Sequence, residues 1–351
     1  MAGIKRKVIL GRKDLQLKAR HIGVIGTGQA IPKCVFKNDD FVGLGLDTSN
    51  DWIVERTGIE QRYIAREEST SDLAIKAGQE AIINSGLKTE DIDCIIVATT
   101  TPDYPLFPSV ACLIQNGLGL QDIPAFDLSA ACTGFIYALE VASCLMQGSG
   151  YKNVLVVGAD TLSKNCNWQD RSVVILFGDG AGAVVLSDVA KGYGMLSSVL
   201  GAKGKDYKKL IVPLGGSREP LNKDNIDSPD RYIQMDGKGV YRFAVNIIVS
   251  VVNQALEKAK LSVKDISFFI PHQANQRIIE HAKEKLGLST EQVYVNINNY
   301  GNTSAASVPI ALNEANRKGL VKHGDVVVTV GFGAGLTYGT NIIKWYKPDS
   351  K

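Results

Sequence analysis

Leu87-Lys-Thr-Glu-Asp91-Ile92-Asp-Cys-Ile95-Ile96 returns in kind far down the chain as Leu261-Ser-Val-Lys-Asp265-Ile266-Ser-Phe-Phe269-Ile270. Each copy follows a helical pattern, Leu73 to Ser85 in one case and Val245 to Ala259 in the other, and each ends in an apolar, strand-like run. A second pair keeps the register. Val154-Leu-Val-Val157-Gly158 corresponds to Val327-Val-Thr-Val330-Gly331, and the spacing from residue 158 to 331 equals that from 87 to 261 to within one position. Two matches at nearly one spacing, in the same context, indicate a duplicated α/β unit. The runs Cys94 to Ala98, Val154 to Val157, Val173 to Leu176, Ala183 to Leu186, Phe268 to Ile270 and Val326 to Val330 are too continuously apolar for half-exposed strands, which predicts sheets covered by helices on both faces. With two copies, the compact arrangement is a layered α/β/α/β/α sandwich. The helices after Cys132 and after Asn302 are then buried between two sheets, with a shared site at the pseudo-twofold axis. The chain divides into a basic extension over 1–20, one half over 21–200, a connection over 201–230 rich in Gly, Lys, Asp and Pro, and a second half over 231–351.

With 351 residues, 45% hydrophobic and 21% charged, the chain has an ordinary soluble balance and length enough for a sizeable core. A net charge of +3 is too small to imply nucleic acid or a membrane surface as partner. Six cysteines show no Cys-x-x-Cys spacing and four histidines are scattered, so no zinc template fits and no metal is expected. The cysteines sit mostly among apolar or small residues, which suits a reducing cytosol. The first twenty residues carry Lys5, Arg6, Lys7, Arg12, Lys13, Lys18 and Arg20 against Asp14 and read as a basic tail, not a signal peptide. No window approaches an uninterrupted membrane-spanning run.

Cys132 lies in Asp127-Leu-Ser-Ala-Ala-Cys-Thr-Gly-Phe135, where small side chains surround a sulfur as an apolar run gives way to a helix. Taken alone it could be a small hydrophobe in a core. At the first turn of a helix, however, unpaired N–H groups and the positive dipole end favour a thiolate, scarce in a free cysteine of pKa about 8.5. His272 follows the strand Phe268-Phe-Ile-Pro271 directly and so stands at a strand's carboxyl end, where α/β sheets place ligands. Asn302, after Tyr300-Gly301, competes for a role as an N-cap.

Together the three side chains suit a thioester condensation. A thiolate takes an acyl group from a thioester as a covalent intermediate. The imidazole N–H of His272 and the amide of Asn302 then stabilise the enolate formed when a carboxylated thioester loses CO₂, each donor being worth about 3 to 4 kcal/mol. The turn Gly331-Phe-Gly333-Ala-Gly335-Leu-Thr-Tyr-Gly339 brings backbone N–H groups close, either as an oxyanion hole for the acyl-cysteine or as a tight turn the fold requires.

Asp47-Thr-Ser-Asn-Asp-Trp52-Ile-Val-Glu-Arg56-Thr57-Gly-Ile, Ala130-Ala-Cys132, Phe177-Gly-Asp-Gly-Ala-Gly182, Pro271-His272-Gln-Ala-Asn275 and Gly301-Asn302-Thr-Ser-Ala-Ala-Ser307 resemble the β-ketoacyl-acyl-carrier-protein synthase III family over about residues 21 to 348. The resemblance implies a thiolase-like fold and a cytoplasmic homodimer. It also implies condensation of acetyl-CoA, or another short acyl-CoA, with malonyl-acyl-carrier protein, the initiating step of type II fatty acid synthesis, with coenzyme A as part of a substrate and no resident cofactor. It assigns Cys132 as the acylated nucleophile, His272 and Asn302 to decarboxylation, and Phe332, Gly333, Ala334 and Gly335 to support of the site. Trp52 and Arg171 resemble the pair that sandwiches the CoA adenine in the family, with Thr48 and Arg56 nearby. By the same resemblance Phe107 matches the residue that reaches into the neighbouring subunit's acyl pocket, and its bulk argues for a short primer. The run Gln273, Ala274, Asn275, Gln276 and Arg277, with Arg242 and Lys285, docks the acidic carrier. Two departures stand out: Ala334 replaces the middle glycine of the usual triple, which is tolerable at negative φ, and Lys238 replaces a common asparagine.

The nearest rival is a type III polyketide synthase, which shares Cys-His-Asn chemistry, or a specialised polyketide-priming enzyme; Trp52 and Arg56 in their setting stand against the former. A thiolase needs a second cysteine near the C-terminal turn, and none follows Cys166. Chain-elongating synthases use two histidines, where this chain has Asn302. A non-catalytic dimer partner has no reason to keep all three side chains.

Overall fold

A computed structural model describes residues 20–347. Its first part contains strands β1 (Ile22–Ala30), β2 (Cys34–Lys37), β3 (Gln61–Ile64), β4 (Cys94–Ala98), β5 (Ala125–Leu128), β6 (Val154–Asp160) and β7 (Gly180–Asp188). Helices α1 (Asn38–Gly43), α2 (Asn50–Thr57), α3 (Thr70–Ser85), α4 (Val110–Gly117), α5 (Gly134–Ser149) and α6 (Arg171–Val174) alternate with them. The remainder adds β8 (Gly194–Ala202), β9 (Leu210–Ile211), β10 (Gln234–Met235), β11 (Phe268–Pro271), β12 (Val326–Gly333) and β13 (Thr337–Lys344). Its helices are α7 (Gly237–Lys258), α8 (Gln276–Leu286), α9 (Ile297–Tyr300) and α10 (Ser307–Arg317).

One sheet runs β1-β7-β6-β4-β5 and the other β11-β12-β13-β8. In the first, β6 pairs with β4 in parallel and with β7 antiparallel, and β1 closes the series antiparallel to β7. The second repeats this order and direction, with β11, β12, β13 and β8 in the places of β4, β6, β7 and β1. The duplication is therefore visible in the hydrogen-bonded frame itself.

Five layers result. Helix α5 (Phe135, Leu139, Ala142, Met146) and helix α10 (Val308, Ala311, Leu312) share one core with β4 and β6 on one side and β11, β12 and β13 on the other. Helices α3 and α4 cover the far face of the first sheet, and α7 and α8 that of the second. Burial on both faces explains why these strands read as unbroken apolar runs. Phe135 is fully buried, and truncating such a ring to alanine costs about 3–5 kcal/mol. Helix α7 is long and apolar enough to cross a membrane by length and composition alone, yet its Ile248, Val251 and Val252 are buried with Val328 and Ile342 of the second sheet.

Three expectations need correction. Val173 to Leu176 is not a strand: Asp170 caps helix α6 by accepting the Ser172 N–H at 2.9 Å, and Val173, Val174 and Ile175 turn into a core cluster with Phe41 and Ile53. The boundary at residue 200 is misplaced, because β8 pairs with β13 and opens the second half at Gly194. The 201–230 connection is not plain loop, since it holds a 3₁₀ turn over Gly204–Lys209 and strand β9, which pairs with β10. Of the basic extension, residues 1–19 lie outside the described residues; Arg20 is docked, pairing with Asp188 at 2.8 Å and donating to the Tyr151 carbonyl.

Candidate active site

Cys132 sits in a 3₁₀ turn, Ala131–Thr133, that leads directly into α5. Ser304–Ala306 forms the matching turn into α10. Both turns start from a non-glycine residue in left-handed backbone, Ala131 at φ 49° and Ser304 at φ 51°, a conformation uncommon enough to mark a constrained site. The two turns meet: the Ser304 hydroxyl donates to Cys132 Sγ at 3.4 Å.

Cys132, His272, Asn302, Phe332 and Gly333 line one cavity of about 140 Å³, bounded further out by Leu210, Met235, Gly237 and Tyr241. The sequence-predicted trio is thus brought together from both halves. A second cavity of about 160 Å³ lies on another side of Cys132, walled by Leu162, Phe177, Ile211, Val212 and Ile233. Thr100, Thr101 and Asn165 also line it, and its volume is comparable to the roughly 150 Å³ cavity that takes up benzene.

His272 is held by its own N–H to the Val330 carbonyl at 2.7 Å, its Nδ1 lies 2.6 Å from Ser307 Oγ, and its ring meets Phe332 edge-on at 5.3 Å. Burial pulls its pKa down to about 3, so it is a neutral imidazole at working pH. Asn302 uses its side-chain oxygen to accept the Ser304 N–H at 2.9 Å. This is an Asx-type turn onto the residue two along and not the N-cap weighed from sequence, since Thr303 and Ala306 hold the N-cap positions of the 3₁₀ turn and of α10; the amide NH₂ is left as the free end. The Asn302 backbone is clamped to Leu176 and Gly178.

The thiol departs from expectation. Cys132 is buried, and burial pushes its pKa up to about 12, with the Ser304 hydrogen bond opposing and the Asp160 charge reinforcing the rise. Desolvation therefore outweighs the hydrogen bonds that favour the thiolate. A Cβ on Gly333 would lie 2.8 Å from Cys132 N, so only glycine lets the β12 terminus approach the nucleophile. Ala334 is not among the left-handed residues, and the positive φ of this turn falls on Gly335 (φ 127°); the methyl is accommodated.

Farther out, the guanidiniums of Arg56 and Arg171 lie 4.3 and 4.8 Å from the ring centroid of Trp52, and Arg171 is anchored to Asp47. The Thr48 hydroxyl is buried without a partner. Phe107 is 79% exposed beside Leu106 at 84% and lines neither cavity of its own chain. Arg242, Gln276, Arg277 and Lys285 are exposed, while Asn275 caps α8 and reaches the Arg56 carbonyl. Gln273 does not belong with the surface group. It is buried, donates to Pro271 and Tyr294 carbonyls and accepts the N–H groups of Asn296 and Ile297, so it braces the chain behind His272. Ala274 likewise lines the cavity.

Sequence reasoning missed Ser304, Ser307 and Asp160 as parts of this site. The serines were in view within the Asn302 motif, but nothing in their spacing showed that one reaches the thiol and the other the imidazole. Asp160 accepts from Thr99, Thr100, Thr101 and the Ala305 N–H. Among the described residues no cluster of three or more metal-ligating side chains occurs.

Residues 126–204 match the family model described as 3-oxoacyl-[acyl-carrier-protein] synthase III, and residues 256–345 its C-terminal counterpart. The β-ketoacyl-[acyl-carrier-protein] synthase III of Fusobacterium nucleatum is 51% identical over 325 residues, covering 92% of this chain and 98% of that protein. The crystal structure of the synthase III from Thermus thermophilus superposes with a TM-score of 0.86 at 45% identity, over 92% of this chain and 99% of that one. A priming β-ketosynthase from the R1128 polyketide biosynthetic pathway gives a TM-score of 0.86 at 34% identity, over 94% of this chain and 98% of that one. The shared frame is the thiolase-like sandwich described above. By identity over nearly its whole length, the chain belongs to the β-ketoacyl-[acyl-carrier-protein] synthase III family.

Proposed function

We propose that this protein is a condensing acyltransferase: it takes a short acyl group from acetyl-CoA or a similar acyl-CoA onto Cys132 and condenses it with malonyl-acyl-carrier protein. CoA and CO₂ leave, and 3-oxoacyl-acyl-carrier protein, the first intermediate of type II fatty acid synthesis, is formed. The observation that carries this reading is the convergence of Cys132, His272 and Asn302 on one cavity.

In the first half-reaction the Cys132 sulfur attacks the thioester carbonyl, and the N–H groups of Cys132 and Gly333 receive the developing oxyanion. Trp52, Arg56, Arg171 and Thr48 hold the nucleotide end of CoA. In the second, malonyl thioester loses CO₂ and the electron pair left on carbon delocalises onto the thioester oxygen. There the His272 imidazole and the Asn302 amide donate hydrogen bonds. A neutral imidazole suits this step, since it offers a donor without the proton lability of an imidazolium. The carbon then attacks the acyl-cysteine carbonyl, and the thiolate departs. Arg242, Arg277 and Lys285 offer positive charge to an acidic carrier. The exposed Tyr104, Leu106 and Phe107, in the connection between β4 and α4, support a homodimer, and the free cysteines support a cytoplasmic setting.

The likeness to the R1128 priming β-ketosynthase favours one alternative, priming of a polyketide chain. The test is a two-stage assay with purified protein: acetyl transfer from labelled acetyl-CoA, then release of CO₂ and a 3-oxoacyl product on addition of malonyl carrier protein. Failure of Cys132 to acylate with any short acyl-CoA sinks the reading.

A further inference from the structure

We propose that Ser307 is a positioning residue for His272, its hydroxyl holding the imidazole in the tautomer that carries its proton on Nε2. The inference rests on the proposed role of His272 as a hydrogen-bond donor and adds the group that makes it one.

Ser307 opens helix α10, on the half that also carries His272, and both side chains are buried. Its Oγ lies 2.6 Å from His272 Nδ1 and accepts the Gln273 N–H at 3.0 Å. With that acceptance fixed, the hydroxyl has one proton left to place. If Nδ1 carried the imidazole proton, it would donate to Oγ, and the hydroxyl proton would be left without the acceptor that Nδ1 provides. With Nδ1 unprotonated, every group is satisfied: Gln273 N–H to Oγ, Oγ–H to Nδ1, and Nε2–H left for the ring's other side. Burial has already excluded the doubly protonated ring, so the choice lies between two neutral tautomers, and the partner of one nitrogen decides it. Gln273 reinforces the arrangement because its own side chain is tied to Pro271, Tyr294, Asn296 and Ile297, which fixes the N–H that faces Ser307.

Nitrogen-15 spectra of histidine-labelled protein test this directly, since the chain has 4 histidines and His272 is assigned by its disappearance in His272→Asn. The expected wild-type signal is that of an imidazole protonated at Nε2 alone. Ser307→Ala should shift His272 toward the other tautomer and lower condensation kcat roughly ten- to a hundredfold, as loss of an orienting partner does for functional histidines. Acylation by acetyl-CoA and KM for the malonyl substrate should hold. Ser307→Thr, which keeps the hydroxyl, should recover both the signal and kcat. A wild-type His272 protonated at Nδ1 overturns the proposal even if no variant folds. So does a folded Ser307→Ala protein with unchanged tautomer and kcat. An Nε2-protonated ring in a wild-type protein that acylates but never condenses supports the tautomer assignment and overturns the functional reading instead.

Discussion

Ala131-Cys-Thr-Gly134 and Ser304-Ala-Ala-Ser307 enter the two central helices through the same turn, each from a left-handed residue. Cys132 in one occupies the place of Ala305 in the other. Behind each turn stands a glycine: a Cβ on Gly158 would strike the Ala305 carbonyl, and one on Gly331 would lie 3.4 Å from Thr133 Cα. At the ends of the same two strands the likeness stops. β6 finishes in Asp160, whose carboxylate accepts the Ala305 N–H at 3.2 Å, whereas β12 finishes in Gly333, whose missing side chain leaves room beside Cys132 N. A turn capped by a carboxylate is poorly suited to an oxyanion, because two negative charges at contact repel. The turn facing glycine has open space beside the Cys132 N–H, which is where the proposed mechanism puts the oxyanion. The duplicated frame thus supplies two matching mounts, and two differences set them apart: cysteine against alanine in the turn, and glycine against a carboxylate at the strand end.

The largest expected effect breaks the comparison outright. Cys132→Ala should lose acyl-enzyme formation by roughly 10⁴-fold or more, read by mass spectrometry after incubation with acetyl-CoA. Adding Ala305→Cys should not restore it, because the N–H of residue 305 is already taken; acetyl label on that double variant would show the mounts to be interchangeable. Gly333→Ala should follow, costing roughly 10²–10³ in acylation by crowding the oxyanion position, with Gly331→Ala milder because its surroundings are looser. His272→Ala and Asn302→Ala should each reduce condensation by roughly 10²–10³ while acylation persists. Equal loss of both half-reactions would mean that the halves do not divide the labour.

The pH responses sharpen the contrast. With its thiol pushed up to about 12, acylation should climb by nearly tenfold per pH unit between about pH 6 and 9. Condensation from preformed acyl-enzyme should stay flat there, because His272, pulled down to about 3, does not titrate. His272 also predicts a stability slope. Its folded pKa lies below the ordinary 6.5, so between those values the unfolded chain binds a proton that the folded chain refuses. Stability is full above about pH 6.5 and falls toward pH 3 by up to about 1.4 kcal/mol per unit, and His272→Gln should flatten that limb in urea melts. Smallest is Trp52→Ala, expected to raise KM for acetyl-CoA roughly three- to tenfold and leave the second half-reaction unchanged.

The duplication and the trio were legible because each left a local trace: an apolar run of fixed spacing, or a reactive side chain at a strand end. Val173-Val-Ile-Leu176 misled because four apolar residues fit a strand or a buried helical turn equally, and Asp170, one side chain upstream, decides. β8 was placed in the wrong half because Gly194-Met-Leu-Ser-Ser-Val-Leu-Gly-Ala202 pairs with a strand near the opposite end of the chain, and no local pattern records so distant a partner. Gln273 was grouped with the carrier-docking residues by resemblance alone; its burial follows from backbone groups of Asn296 and Ile297 that need an acceptor. The height of the Cys132 pKa was hidden too, since it depends on how completely the two turns shut out water.

Both guanidiniums already rest on the Trp52 indole, so in the proposed coenzyme A site an adenine would meet a ring whose electrostatic partners are already in place. Of the 3 tryptophans, Trp345 is buried and Trp168 is bonded to the Ser163 carbonyl. On the proposed function, the emission of the remaining one would be an optical gauge of nucleotide arrival, built into the protein without any dye and readable before the sulfur has reacted.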